Sequence, residues 1–205
     1  MTGIAASGPA SRPALVLASS SPRRLSLLAQ IGIVPHRIAV PDIDEGERPA
    51  ELPRPYVLRI ATEKALAVPR AAGEVVLAGD TTVAVGRRIL AKPVDEADLR
   101  RMLGLLSGRR HHCFSAVCVV GDDGKPRTRV SDTIVTFKRL SAAEIDWYVA
   151  SGEGMGKAGG YAIQGGAEGF VRFLSGSYSG VVGLPLFETR ALLEGAGIVA
   201  SPCSG

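Results

Sequence analysis

The chain has 205 residues, 46% of them hydrophobic and 21% charged, a composition that folds around a core and excludes a disordered or fibrous chain. No apolar run nears the ~20 residues of a membrane-spanning helix, and Ala14 to Ala18 is too short for a signal-peptide core, so the expected setting is the cytoplasm with no membrane partner. The net charge of +4 arises from 24 Lys and Arg against 20 acids without a basic tract, which suits a small anion and disfavours nucleic acid.

Residues 1–13 read as an N-terminal tail, 14–198 as one domain and 199–205 as a C-terminal tail. Leu15 to Ala18 reads as a buried strand. Ser21, Pro22 and Gly32 then bracket a helix carrying Leu25, Leu28 and Ala29. A second helix is expected from Pro55 to Val68, and the apolar run Val75 to Ala78 reads as a central strand. Thr82 to Val85 and Ile89 to Leu90 suggest a hairpin around Gly86. Asp95 and Asp98 open a helix that closes at Gly108. Cys113 to Val120 and Thr128 to Lys138 form a long β-pair over Gly121–Gly124, and Ser141 with Glu144 spells a capping box for a helix through Tyr148. Phe170 to Leu174 is a last strand and Pro185 to Leu193 a last helix. The alternation predicts an α/β fold with a mixed twisted β-sheet and flanking helices. The three cysteines, Cys113, Cys118 and Cys203, form no Cys-x-x-Cys pair. Cys113 and Cys118 would face opposite sides of one strand, so inert thiols are expected.

Five places carry candidate chemistry. Ser19-Ser20-Ser21-Pro22-Arg23-Arg24 joins a strand to a helix N-terminus, where backbone N–H groups and guanidinium forks can hold an anion; a capped helix with solvated arginines reads equally well. Lys64 stands in the apolar stripe Val57, Ile60, Ala61, Ala65 and Val68, so it either snorkels outward or lines a wet cleft. Asp80 ends the run Val75 to Gly79, at the strand end where open α/β sheets bind ligands, and Lys92 could return to the same edge. The loop Asp42-Ile43-Asp44-Glu45-Gly46-Glu47 could hold a hard cation or be a solvated acidic loop. Lys157 to Gly166 surrounds Gln164 with glycines, and a Gln amide offers a donor and an acceptor to a base edge. There is no Walker loop, no Gly-x-Gly-x-x-Gly and no His-Glu-x-x-His, and the serines of Gly176–Gly180 are off register for a nucleophile elbow.

These residues together resemble the Maf family of nucleoside triphosphate pyrophosphatases. The likeness runs through Leu17-Ala18-Ser19-Ser20-Ser21-Pro22-Arg23-Arg24, Asp44-Glu45, Glu63-Lys64-Ala65, Gly79-Asp80-Thr81, Lys92-Pro93, Leu106-Ser107-Gly108-Arg109 with His111, Lys157 to Tyr161, Ile163-Gln164-Gly165 and Val182 to Leu186. Gly79 and Gly160 stand where the family has alanine. The resemblance implies two lobes around a deep substrate cleft, of Maf/ITPase-like type. It implies a divalent cation, Mg or Mn, and hydrolysis of a nucleoside triphosphate between its α and β phosphates. Asp80 would accept the water's proton and bind metal, with Glu45 the other metal carboxylate. Ser19, Arg23, Arg24, Lys64 and Lys92 would hold phosphates, and Gln164 the base. Arg23, Thr81 and Gln164 match the subgroup acting on dTTP and UTP, against a sister subgroup acting on 7-methyl-GTP. A broader house-cleaning pyrophosphatase and a non-catalytic regulator of septum formation are the competing implications. A homodimer is implied by resemblance only.

Overall fold

The computed structural model describes residues 13–200; the expected tails, apart from residues 13, 199 and 200, and Cys203 lie outside the described residues. The chain order is β1 (Ala14–Ala18), α1 (Pro22–Gln30), β2 (Arg37–Ile38), α2 (Pro53–Ala67), β3 (Glu74–Val85), β4 (Arg88–Leu90), α3 (Glu96–Leu106), β5 (Arg110–Val120), β6 (Pro126–Phe137), α4 (Ala142–Ala150), two 3₁₀ turns (Ala158–Gly160 and Gly166–Phe170), β7 (Val171–Ser175), α5 (Tyr178–Val182) and α6 (Leu186–Gly195). One mixed sheet runs β2-β1-β3-β5-β6-β7, with β4 paired to β3. β1 lies parallel to both neighbours, whereas β3, β5, β6 and β7 are antiparallel.

Three buried clusters surround the sheet, two of them on its opposite faces. Val16, Ala18, Val76, Ala78, Ala116 and Cys118 pack under Val57, Ala61 and Ala65 of α2. The alternate residues Leu15, Leu17, Val75, Leu77, Val117 and Val119 pack under α1 and α6 through Leu27, Leu28, Leu192 and Leu193. Farther along the same strands, Val83, Cys113, Val135 and Phe137 join α3, α4 and the 3₁₀ segment in a separate core. Cys113 and Cys118 therefore do face opposite sides; both are free, and burial pushes their thiols up to about 12 and about 11.

Several boundaries differ from expectation for identifiable reasons. α2 begins two residues earlier, at Pro53, because both Pro53 and Pro55 fit a first turn whose N–H groups need no partner. Val75–Ala78 and Thr82–Val85 are one twelve-residue strand, since β5 pairs β3 without interruption from Val76 to Ala84. Ser21 is the N-cap of α1 but its side chain makes no cap; its N–H donates to Ser19 Oγ instead. The five-residue helix α5 was not legible, as Ser177 to Gly183 reads as a loop by composition. The capping box at Ser141 and Glu144 forms as expected. No helix among the described residues is long and apolar enough to cross a membrane.

Candidate active site

The site begins as a gap in strand pairing. β1 accompanies β3 only to Ala18 opposite Ala78, and β4 joins β3 only from Val83. Between them, Gly79 to Thr82 are paired to β5 on one side and lack a strand on the other. A cleft of about 350 Å³ opens at this gap, lined by Ser19 to Arg24, Glu45, Lys64, Asp80, Thr81, Lys92, Lys157, Gln164 and Val181 to Gly183. Asp80 thus sits mid-strand, not at the strand end that the sequence suggested. What exposes it is the departure of its parallel neighbour. All nine expected site residues (Ser19, Arg23, Arg24, Glu45, Lys64, Asp80, Thr81, Lys92 and Gln164) line this one cleft.

Lys64 does not snorkel. Its ammonium lies 2.9 Å from Asp80 Oδ1 and 3.0 Å from Glu45 Oε1, with only 9% of its side chain exposed. The apolar stripe of α2 buries its stem, and two carboxylates compensate its charge. Thr82 Oγ1 donates to the other oxygen of Asp80 at 3.5 Å. Ser19 Oγ accepts from Ser21 N–H at 3.1 Å and from Arg24 Nη1 at 3.0 Å, which leaves its own proton to be donated.

Arg23 and Arg24 are not simply solvated. Arg23 Nε donates to Val182 O at 3.1 Å and Arg24 Nε to Gly183 O at 2.9 Å, so the C-terminal carbonyls of α5 hold both guanidinium groups. A cation at a helix C-terminus is favoured, which offsets its poor placement in the first turn of α1. Burial lowers the Arg24 pKa from its ordinary value, against the attraction of Asp80. Thr81 Oγ1 meets Ser115 Oγ at 3.0 Å and donates to the same Gly183 carbonyl at 3.4 Å, tying β3 to the α5 lip.

Of the acidic loop, only Glu45 lines the cleft. Asp44 turns back to accept from Gly46 N–H at 2.8 Å. Among the described residues no three His, Cys, Asp or Glu side chains group to hold a metal ion. Glu45 and Asp80 converge on one ammonium, and a pair of carboxylates fits a hard cation such as Mg²⁺ that fills its shell with water and phosphate oxygens rather than a preformed cage.

Lys157, not among the expected site residues, also lines the cleft. Burial, then the nearby Arg23, lowers its pKa, while its Nζ donates to Glu153 O at 2.6 Å. The glycine-rich segment is anchored by two phenols: Tyr148 Oη accepts from Ala162 N–H at 2.9 Å, and Tyr161 Oη meets His111 Nε2 at 2.9 Å.

The fold and the cleft define an α/β protein whose cleft gathers arginine and lysine side chains beside paired carboxylates. A family model for Maf-like proteins matches residues 14–196, and the chain belongs to that family. A dTTP/UTP pyrophosphatase of Sphingopyxis alaskensis is 76% identical over 186 residues, 91% of this chain and 98% of that one. A dTTP/UTP pyrophosphatase of Novosphingobium aromaticivorans is 58% identical over 194 residues, 94% of this chain and 96% of that one. A solved structure from Mycobacterium abscessus, described as a nucleoside-triphosphatase / dITP/XTP pyrophosphatase, aligns with a TM-score of 0.40 at 19% identity, over 62% of this chain and 76% of that one.

Proposed function

We propose that this protein is a nucleoside triphosphate pyrophosphatase of the cytoplasm that hydrolyses dTTP and UTP to the monophosphate and pyrophosphate. The observation that carries the reading is a carboxylate, Asp80, at the floor of a cleft that five cations line: Arg23, Arg24, Lys64, Lys92 and Lys157. Phosphoryl transfer needs charge neutralisation and positioning more than covalent chemistry by the protein. The cations bind the triphosphate, and the Ser19 hydroxyl donates to one of its oxygens. Asp80 takes a proton from a water as the water's oxygen bonds to the α phosphorus. The bond from that phosphorus to the bridging oxygen breaks, and pyrophosphate leaves with its electron pair. A divalent cation held by Glu45 and Asp80 would supply further neutralisation of the phosphate oxygens. Gln164, exposed on the glycine-rich wall, presents an amide to the adjacent N–H and C=O of a pyrimidine. The relatives named dTTP/UTP pyrophosphatase support this choice of nucleotide.

The test is product identification with dTTP, UTP, CTP, GTP and 7-methyl-GTP under Mg²⁺ or Mn²⁺. Expected are pyrophosphate and monophosphate, with kcat/KM highest for dTTP and UTP and within about tenfold of each other, because the thymine methyl is worth about 1 kcal/mol, roughly fivefold. A lead for 7-methyl-GTP would overturn the nucleotide assignment. Release of orthophosphate from UTP would overturn the reaction.

A further inference from the structure

The segment between β2 and α2, residues 39–52, contains no helix or strand, yet it delivers Glu45 to Lys64. A free loop of this length would spread that carboxylate over many positions. Its order comes from one face of α2. Arg59 donates Nε to Glu51 Oε1 at 2.8 Å and Nη2 to Glu51 Oε2 at 2.6 Å, a bidentate fork. Nη2 also donates to Gly46 O at 2.9 Å, and Nη1 to Glu63 Oε2 at 3.1 Å. Tyr56 Oη donates to the Glu45 carbonyl at 2.9 Å, and the Arg59 guanidinium lies 5.5 Å from the Tyr56 ring centre. Glu51 Oε2 further accepts from Arg48 N–H at 3.1 Å. Three backbone groups of the loop, at Glu45, Gly46 and Arg48, are thereby bound directly or through Glu51 to Tyr56 and Arg59. Ala50, within the same loop, has φ of 58°, the one non-glycine residue with positive φ among those described. Such strain persists only where surrounding contacts over-determine the backbone.

We propose that Tyr56 and Arg59 are positioning residues that clamp the Glu45 loop onto α2 and so set where the Glu45 carboxylate meets the cleft. The inference rests on the reading above for its kinetic consequence, but the clamp itself is measured without turnover. Neither residue lines the cleft, so each acts through Glu45.

The experiment compares Arg59→Met, Arg59→Lys and Tyr56→Phe with the unaltered protein, with Arg190→Met as control because Arg190 pairs, among the described residues, with Glu194 on α6 alone. Backbone hydrogen exchange over residues 42–50 is read first, without metal or nucleotide. Arg59→Met and Tyr56→Phe are expected to accelerate it, and Arg190→Met to leave it unchanged. The Mg²⁺ concentration for half-maximal turnover of UTP is read second. It should rise about tenfold in Arg59→Met and about two- to fivefold in Tyr56→Phe, which loses one hydrogen bond. At saturating Mg²⁺, kcat should largely recover. Arg59→Lys, which keeps the charge but not the fork, should fall between. Unchanged exchange in both Arg59→Met and Tyr56→Phe would overturn the clamp. So would faster exchange with unchanged Mg²⁺ dependence, or a lower melting temperature with neither effect. If Arg59→Met does not fold, Tyr56→Phe decides alone. An unaltered protein that does not cleave UTP would overturn the proposed function instead, and the exchange result would still stand or fall by itself.

Discussion

An isolated lysine on the apolar stripe of α2 would snorkel, and Lys64→Met would then be neutral or slightly stabilising. In the fold the same substitution removes the cation from Asp80, whose side chain is only 10% exposed. Breaking a buried pair from one side costs about 3–5 kcal/mol. We expect about 3 kcal/mol here, because Glu45 is 45% exposed and rehydrates. The urea midpoint of Lys64→Met measures it; a midpoint at or above that of the unaltered protein would show the pair contributes nothing. Asp80→Asn is the contrasting case. It leaves Lys64 paired with Glu45, so stability should change less, while kcat should fall by the ~10²–10⁴ of a lost general base. Near-normal turnover in a folded Asp80→Asn protein would reject the base assignment.

At the scale of elements, the glycine-rich wall is held by contacts that no local pattern displays. Gly159 has φ of 71°, and a Cβ there would lie 2.7 Å from Val83 Cγ1, on the strand that carries Asp80. Its N–H donates to Ala91 O at 3.1 Å, beside Lys92. Gly159→Ala should therefore cost ~2–4 kcal/mol from left-handed backbone and overpacking together, and should raise KM as the wall shifts against β3 and Lys92. An unaltered melting temperature would contradict this. The other anchor is His111, fully buried between Phe137 and Tyr161. Burial, with a smaller contribution from His112, lowers its pKa to about 4. An unfolded imidazole titrates near 6.5, so the unfolded chain binds the proton first. The stabilising contribution of neutral His111 is complete above about pH 6.5 and is lost as the pH falls toward 4, at up to ~1.4 kcal/mol per unit. His111→Phe should be less stable at pH 7.5, since Tyr161 loses its partner, but its urea midpoint should move less between pH 7.5 and 5. A midpoint that drops equally in both proteins would exclude His111 as the source.

At the scale of the molecule, five cations and two carboxylates meet in one cleft, and no preformed metal cage stands among the described residues. Lys64 already occupies the approach to both carboxylates. Mg²⁺ alone should therefore bind weakly, and pyrophosphate should strengthen it by adding oxygen ligands and drawing Lys64 toward phosphate. Calorimetric titration of Mg²⁺ with and without pyrophosphate checks this; tight binding of Mg²⁺ alone would contradict it. EDTA should abolish turnover of UTP.

Much of this was legible in the chain itself. Apolar runs and caps marked eleven of the thirteen strands and α-helices among the described residues, because burial periodicity and helix-end chemistry are local properties. The site residues were legible as residue types out of place: a lysine in an apolar stripe, arginines at a helix start, a carboxylate closing an apolar run. What the chain alone did not reveal is long-range. The Asp80 cleft exists because β1 stops pairing with β3 at Ala78 and β4 starts at Val83, the first partner distant in the chain and the second adjacent to it. Arg23 and Arg24 are fixed by carbonyls 159 residues away, on a helix too short to announce itself. Local sequence determined which segments could bury a face and which side chains could bind phosphate; tertiary structure decided which two carboxylates compensate Lys64 and which carbonyls hold the arginines, because those energies depend on distance and desolvation that only packing sets.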